Sequence, residues 1–267
     1  RERIQPDPST WSSNLSAAET GRLAYVLLGP TFGSRIEERG RDGARLRVLT
    51  SSANHTALIL SRDGRTLAQG SQESAAGDIW SIDVATGRRT LVVGGKADED
   101  APVLSPRGDR LLFSSNRSGR PYQLLIGRSD GAGEMREVLR GAQDLIASDW
   151  SGDGRTAVVF SGDILSGVWD TLLAVNPEDG RSRQVLLVSP GSFGDARLSP
   201  DGRWLAYSEG AYGQTRIYVI PFVPAWPAGA TPAGRWQVGA PGGAHPRWPA
   251  SGREIVFARL DGTAVSV

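Results

Sequence analysis

The chain of 267 residues has no cysteine, one methionine, one lysine and two histidines. The absence of cysteine excludes a disulfide framework, a thiol nucleophile and a thiolate metal site. Histidine is the side chain that most often exchanges protons near neutral pH, so a chain with two histidines has few candidates for acid–base catalysis. These absences argue against an enzyme.

Neither an excess of charge nor a long hydrophobic run is present. The chain has 30 basic and 29 acidic residues, which gives a formal net charge of +1. Nucleic-acid-binding domains usually carry a basic excess, and membrane-surface proteins a polybasic patch. The longest nearly apolar segment, 217–230, has 14 residues and three prolines, whereas a spanning helix needs about 20 apolar residues. We therefore expect no nucleic-acid partner and no membrane span in this chain.

Glycine is abundant, with 34 residues, and it recurs in one turn motif. Six segments similar to "LSPDGRWLAY" follow one another at spacings of 43 to 50 residues. Self-similarity at such a period is typical of a repeat architecture. The turn glycines of the six repeats are Gly21, Gly64, Gly108, Gly154, Gly202 and Gly252.

Each repeat has the pattern of four short antiparallel strands. A large apolar residue such as Leu198 lies four positions before the turn glycine. An aromatic residue follows the glycine by five positions at Phe113, Tyr207 and Phe257. The Asp-Gly pair predicts a tight hairpin with positive φ at both central residues. A third strand such as "RIYVIPF" and a more polar fourth strand such as "MREVLRG" complete the unit.

One four-stranded sheet cannot bury both of its faces, whereas six sheets arranged in a ring bury them against one another. We therefore predict an all-β fold, a six-bladed β-propeller of four-stranded antiparallel blades, as a single domain over residues 1–267. The last repeat lacks a fourth strand. We predict that the N-terminal segment 1–5 lies beside Val265 and closes this last blade. A stacked array of open sheets is the alternative.

The repeats resemble those of a known family. "LSPDGRWLAYSEG" (198–210) and "DIWSIDVATGRRTLVV" (78–93) resemble the WD-like repeats of TolB-type β-propellers. The C-terminal "RIYVIPF" and "GRWQVGAPGGAHPRWPASGREIVFARLDGTAVSV" are similar to the propellers of bacterial transmembrane serine/threonine kinases and related envelope proteins. The resemblance implies a six-bladed propeller outside the cytoplasmic membrane that contacts other proteins or ligands. The kinase motifs themselves are absent from this sequence.

Charged residues occupy the inner-strand position five before the turn glycine in three repeats, at Asp149, Arg197 and Arg247. Inner strands surround the axis of a propeller, so we expect these side chains in the central channel, where they bind an anion or fix water. A salt bridge between Asp149 and one arginine is the alternative. His245 is a further channel candidate, and a metal shared with His55 would have to lie across the channel.

Segment 221–236, "PFVPAWPAGATPAGRW", interrupts the repeat pattern with prolines and aromatic residues. Tryptophan is enriched at binding hot spots, and prolines reduce the entropy lost on docking. Phe222, Trp226 and Trp236 are therefore candidate contacts for a partner protein, with Trp169 of "SGDILSGVWD" as another. The alternative is an ordinary blade loop whose tryptophan packs on the sheet.

Two other patterns suggest chemistry but are more typical of loops. Asp98, Glu99 and Asp100 form an acidic run without the ligand spacing of a calcium loop, so we interpret it as a solvated rim. "GRSDG" around Ser129 matches the hydrolase nucleophile pattern, but the helix that this pattern requires does not follow. We interpret it as a turn between third and fourth strands. We expect no catalytic residue, no cofactor and no metal.

Three functions remain open. The favoured one is a non-catalytic, protein-binding and scaffolding propeller, an accessory extrinsic subunit of a membrane-associated complex on the periplasmic side. The alternative is the extracytoplasmic ligand-sensing domain of a receptor serine/threonine kinase, and an enzyme such as a lyase or hydrolase comes third. We expect other protein subunits as partners and a periplasmic location, with a signal peptide or an anchoring segment before Arg1.

Overall fold

The computed structural model describes residues 3–4, 11–17, 23–28, 34–40, 44–50, 55–73, 76–180, 183–211, 214–223, 234–259 and 264–267. All regular elements in these ranges are β-strands, and no helix in them is long and apolar enough to cross a membrane.

The strands form six four-stranded antiparallel sheets, which we call blades one to six. The strand β1 (Arg3–Ile4) precedes blade one in the chain but pairs with the last strand of blade six. The strands of blades one to three are β2 (Trp11–Ala17), β3 (Leu23–Leu28), β4 (Ser34–Arg39), β5 (Arg45–Thr50); β6 (His55–Leu60), β7 (Thr66–Ser71), β8 (Asp78–Asp83), β9 (Arg89–Val93); β10 (Glu99–Leu104), β11 (Arg110–Ser115), β12 (Gln123–Arg128) and β13 (Arg136–Leu139).

Blades four and five repeat this order, and blade six recruits the N-terminal strand. The strands of blades four to six are β14 (Asp144–Trp150), β15 (Ala157–Asp163), β16 (Val168–Val175), β17 (Arg183–Val188); β18 (Phe193–Leu198), β19 (Trp204–Glu209), β20 (Arg216–Pro221), β21 (Trp236–Val238); β22 (Gly243–Arg247), β23 (Val256–Arg259) and β24 (Ala264–Ser266), with β1 outermost.

The first strands of the blades form a closed ring. Each of β2, β6, β10, β14, β18 and β22 contacts the first strand of the next blade, and β22 contacts β2. This arrangement is a β-propeller with the first strands around its axis, as the repeat pattern predicts.

The two ends of the chain meet in blade six. Arg3 pairs with Val265 and Ile4 with Ala264, in antiparallel register. The prediction that the N-terminal segment supplies the outer strand beside Val265 is therefore confirmed. This pairing joins the first and last strands of the ring through backbone hydrogen bonds, so the edge of β24 is covered.

The core lies between neighbouring blades rather than inside any one of them. Separate clusters of buried apolar side chains join blades one and two, two and three, three and four, four and five, and five and six. The three aromatic residues that follow turn glycines are among the largest of these side chains. Phe113 and Phe257 have no exposed surface, and Tyr207 is 1% exposed. The ring therefore buries both faces of each sheet, which one blade alone cannot do.

The repeated turns differ from the predicted tight hairpin. The described turn glycines have φ of +62° to +75°, while none of the residues directly before them has positive φ. These glycines are Gly64, Gly108, Gly154, Gly202 and Gly252. In each such turn the glycine N–H donates to the carbonyl three residues before it, for example from Gly202 to Ser199 at 2.9 Å. This is a longer loop built around a type I turn that ends in a left-handed glycine. The predicted turn glycine Gly21 lies outside the described residues.

The Ser-x-Asp side chains explain why this turn is favoured. Ser199 Oγ donates to Asp201 Oδ1 at 2.6 Å and accepts the N–H of Trp204 at 3.0 Å. Asp201 Oδ1 also accepts the N–H of Arg203 at 3.0 Å. The hydrogen bond from Ser199 and that backbone N–H hold the pKa of Asp201 below its usual value. The aspartate thus orders the loop with its side chain and does not need positive φ itself.

The variant Gly202→Ala tests the backbone requirement of this turn. Gly202 has φ +69°, and a Cβ there would meet no atom within 4 Å, so the cost comes from the left-handed backbone alone. We expect the free energy of unfolding to fall by about 1 kcal/mol. The control is Gly191→Ala, where φ is not in the left-handed region and the nearest atom is 3.5 Å away. Equal stability of the two variants in a denaturant titration would contradict this account.

Candidate functional site

Every first strand of the ring contains a β-bulge, at which its pairing with the second strand shifts register. A bulge bends the strand and redirects a side chain. The bulge in β18 contains Asp195, and the bulge in β22 contains His245, whose φ is +55°. Because blades five and six are neighbours, these two bulges bring Asp195 and His245 into contact.

Asp195 is the centre of an ion cluster between blades five and six. Its Oδ1 lies 2.7 Å from Nη2 of Arg197. Its Oδ2 lies 2.7 Å from Nδ1 of His245 and 3.1 Å from Nη1 of Arg247. The side chains of Asp195 and Arg247 are only 14% and 6% exposed. Buried charges need partners, and here one carboxylate serves two guanidinium groups.

Arg197 also joins blade five to blade four. Its Nη1 donates to the backbone carbonyl of Ser148 and, at 2.9 Å, to Ser148 Oγ. Ser148 Oγ in turn donates to the carbonyl of Ala196 at 3.0 Å and accepts the N–H of Ala196 at 3.1 Å. Contacts on both sides therefore fix the guanidinium of Arg197.

Asp149 binds backbone N–H groups instead of an arginine. Its Oδ1 accepts the N–H of Trp150 at 2.8 Å, and its Oδ2 accepts the N–H of Leu198 at 2.6 Å. The predicted salt bridge between Asp149 and a channel arginine is therefore wrong. The bulge in β18 places the carboxylate of Asp195 beside both guanidinium groups, so Arg197 and Arg247 pair there.

A cavity of about 80 Å³, open to solvent on one side, lies at the ends of the first strands. Its walls come from blades one, two, four, five and six, so it lies on the axis of the ring. Arg62, Asp149, Arg197 and Arg247 supply its charged wall, and the indole of Trp248 is part of the rest. The predicted channel residues Asp149, Arg197 and Arg247 thus lie together at one cavity. His245 is not among the residues that line it, but it contacts Asp195, which pairs with both arginines.

The electrostatics of the cluster are those of buried cations around one carboxylate. Burial by itself would raise the pKa of Asp195, but the charges of Arg197 and Arg247 and the hydrogen bond with His245 outweigh it and hold this pKa well below its usual value. Burial, followed by the charge of Arg197, lowers the pKa of Arg247 to about 10, although Asp195 opposes the shift. Arg247 therefore stays charged at neutral pH, and Asp195 compensates its charge only in part.

Sequence reasoning missed Asp195, Ser148 and Arg62. A signal for Asp195 exists in the repeat itself. Asp195 and His245 both lie seven residues before their turn glycines, where the preceding three repeats have Ala57, Ala101 and Ala147. Two polar residues at the same repeat position in adjacent blades indicate that their side chains contact each other. Arg62 lies in a turn, and no repeat pattern of this kind indicates its contacts.

The candidates for partner contact lie in different environments. Phe222 is 6% exposed and packs in the core between blades four and five, so it does not belong to an exposed contact surface. Trp169 is partly buried against the same core. Trp236 is 50% exposed on the outer strand of blade five. Trp226 lies outside the described residues and stays a prediction.

The acidic run is not a solvated rim, because it begins the first strand of blade three. Glu99 is 2% exposed, and its Oε1 lies 2.7 Å from Nη2 of Arg117. Asp100 accepts a hydrogen bond from Thr56 at 2.8 Å, and Asp98 accepts the N–H of Gly77 at 2.7 Å. Across the described ranges, no group of three His, Cys, Asp or Glu residues could hold a metal ion.

The remaining patterns have structural roles. Ser129 lies in the turn between β12 and β13, and its Oγ donates to the carbonyl of Gly108 at 2.6 Å, as the turn interpretation predicts. His55 begins β6, and its Nδ1 lies 2.5 Å from Nε2 of Gln69. The two histidines thus have separate partners, Gln69 in blade two for His55 and Asp195 in blade five for His245.

Comparison with known proteins supports the fold. No protein-family model matches the chain. The chain is 26% identical over 215 residues to the protein TolB homolog of Chlorobium luteolum, which covers 76% of the chain and 47% of that protein. The crystal structure of TolB from Acinetobacter baumannii superposes with a TM-score of 0.72 at 18% identity, over 94% of this chain and 65% of that one. The chain thus spans about half of one relative and less than two thirds of the other.

The same fold also occurs in an enzyme. An oligogalacturonate lyase in complex with manganese superposes with a TM-score of 0.64 at 16% identity, over 96% of this chain and 74% of that one. A likeness at this identity shows the fold and not the activity. The structural comparisons show the β-propeller fold, and the sequence comparison shows a likeness to a TolB homolog.

Proposed function

We propose that this TolB-like β-propeller is a non-catalytic protein-binding domain on the periplasmic side, and an accessory subunit of a larger membrane-associated assembly. The likeness to TolB proteins supports a propeller of the bacterial envelope. The observation that carries the docking role is the exposed tryptophan on the outer edge of blade five.

Trp236 is held in place although half of its surface is exposed. Its ring meets the ring of Trp204 edge-on, with 5.8 Å between centroids. On another side it lies over Gly234, where an added Cβ would come within 2.4 Å of the indole. A large aromatic side chain that is already ordered loses little entropy on docking, and tryptophan is enriched at hot spots.

Arginine and tyrosine side chains extend this edge of the blade. The guanidinium of Arg235 lies 3.6 Å from the ring centroid of Tyr218, and its side chain is 44% exposed. Arginine and tyrosine are, with tryptophan, the residues most enriched at binding hot spots. Arg235 also forms a salt bridge with Glu209, so the outer edge of blade five presents an aromatic and polar surface that fits a protein partner.

The variant Trp236→Ala tests this proposal. We expect the wild-type protein, in gently solubilised membranes, to migrate in a large complex with a constant set of companions. Truncation of a hot-spot tryptophan costs about 2 kcal/mol or more, so Trp236→Ala should recover at least about tenfold less of these companions in a quantitative pull-down.

The matched control is Val185→Ala, because Val185 is 52% exposed on the outer strand of another blade. It should recover companions as the wild type does. Migration of the wild type as a single chain without companions would overturn the docking proposal and favour the ligand-sensing alternative. An equal loss of companions in both variants would show that the outer edge of blade five is not the docking surface.

A further inference from the structure

We propose that the partner protein docks on blade five by adding an extended segment, with an apolar–polar–apolar pattern, to the free edge of β21. The inference rests on the docking role proposed above and specifies how the partner binds at that site. In strand addition, backbone hydrogen bonds provide affinity, and alternate side chains provide specificity.

The edge of β21 is regular, unlike the outer strands of blades one to four. In each of these four blades the outer strand has an extra residue that shifts its register against the third strand. Such a bulge twists the edge and hinders the addition of a further strand. β21 pairs with β20 without a shift, from Val219 with Trp236 to Ile217 with Val238. β1, the outer strand of blade six, is regular too but has two residues. Among the described strands, β21 is therefore the longest regular outer edge.

The backbone of Gln237 points away from the blade. Phe222, directly after β20, donates its N–H to the carbonyl of Arg203 at 2.7 Å, on the side of β19. Backbone groups point to alternate sides along a strand, and the pairing of β20 with β19 has no register shift. The backbone of Tyr218, four residues earlier, thus also bonds toward β19. Gln237 lies opposite Tyr218, so its N–H and C=O face the free edge.

The two faces of β21 define the side chains that a further strand would contact. Val238 packs on the core between blades five and six, and Trp236, on the same face, meets Trp204 edge-on. Gln237 lies on the opposite face beside Tyr218. A partner residue paired with Gln237 would lie on this polar face, and its two neighbours would lie beside Trp236 and Val238. The edge therefore fits an apolar–polar–apolar segment.

Hydrogen exchange of the Gln237 amide tests this geometry. The wild-type assembly from gently solubilised membranes is compared with the isolated full chain, by mass spectrometry with fragmentation to single residues. In the isolated chain this amide should exchange freely. In the assembly it should exchange at least about tenfold more slowly, because a backbone hydrogen bond protects it. The amides of Trp236 and Val238, which face β20, are internal controls and should change less.

A proline variant tests the same backbone group through binding. Gln237→Pro removes the outward N–H and places a ring at the edge, and proline is tolerated on an edge strand where the N–H faces solvent. In the pull-down used for Trp236→Ala, it should recover at least about fivefold less of the companions. The matched control Gln237→Ala keeps the N–H and should recover companions as the wild type does. If Gln237→Pro does not fold, hydrogen exchange of the wild type decides.

The outcomes separate strand addition from the docking role. Loss of companions in Trp236→Ala but not in a folded Gln237→Pro, or unchanged exchange of the Gln237 amide in the assembly, would overturn strand addition and leave the docking role intact. Loss in neither variant would overturn docking at this edge as well. If the isolated chain forms a dimer in which the Gln237 amide is protected, the occupant is a second copy, and the proposed partner segment is wrong.

Discussion

Replacing Asp195 with asparagine is expected to lower the free energy of unfolding by about 3–5 kcal/mol, the usual cost of removing one partner from a buried ion pair. Asparagine keeps the shape of the side chain but removes its charge. Arg197 and Arg247, which both pair with Asp195, would then face each other without their shared carboxylate. The loss should therefore come from uncompensated charge and not from a cavity.

The measurement is a urea titration of the full chain, with Asp201→Asn as the matched control. Asp201 is an exposed turn carboxylate, for which we expect a change of less than about 1 kcal/mol. A double variant, Asp195→Asn with Arg247→Met, should recover part of the lost stability, because the unpaired cation is removed together with its partner. Strictly additive losses in the double variant would contradict the role of Asp195 as a shared counter-ion.

The same pair of proteins should differ in pH dependence. The folded pKa of Asp195 is lowered well below 3.8, so its contribution to stability is present above the unfolded pKa and is lost as pH falls through the folded one. The stability difference between wild type and Asp195→Asn should shrink as pH falls below about 4. A constant difference down to pH 2 would show that charge is not the cause.

Replacing Phe257 with alanine is expected to cost about 3–5 kcal/mol. Phe257 has no exposed surface and packs with Ile217 and Val219 in the core between blades five and six. Its ring also lies so close to Gly239 and Gly243 that a Cβ at either position would approach it to 2.7 or 2.9 Å. This tight surround leaves the site little freedom to collapse around a smaller side chain.

Phe257→Ala is measured in the same way, and Leu165→Ala is its control. Leu165 is 77% exposed, so its truncation should change the free energy of unfolding by about 0.5 kcal/mol or less. Because blade six is closed by β1, weakening its core should also speed hydrogen exchange in β23 and β24. Unchanged exchange in these strands would mean that the core between blades five and six does not hold the ring closed.

The repeat spacing was sufficient to predict the architecture. The six turn motifs, the aromatic residues at Phe113, Tyr207 and Phe257, and the missing last strand are local features that recur in the sequence. Each constrains a short hairpin, and repetition of the hairpin leaves a ring as the way to bury both faces. Even the exact turn type, which the Asp-Gly pair predicted wrongly, depends on hydrogen bonds within one loop.

The sequence predicted only part of the candidate site. The repeat position five before the turn glycine correctly placed Asp149, Arg197 and Arg247 near the axis. It did not show which charges pair, because His245 and Asp195 are 50 residues apart and meet only when blades five and six pack. Phe222 was misjudged for a similar reason, since only packing between blades four and five buries it.

The sequence by itself determined the number of blades, the strand order and the closure of the ring, because turns and strand patterns act over a few residues. Only the tertiary structure decided that Asp195 compensates two arginines and that a cavity lined by Asp149, Arg197 and Arg247 lies on the axis. The physical reason is that bulges redirect single side chains, and the partners that they reach belong to other blades.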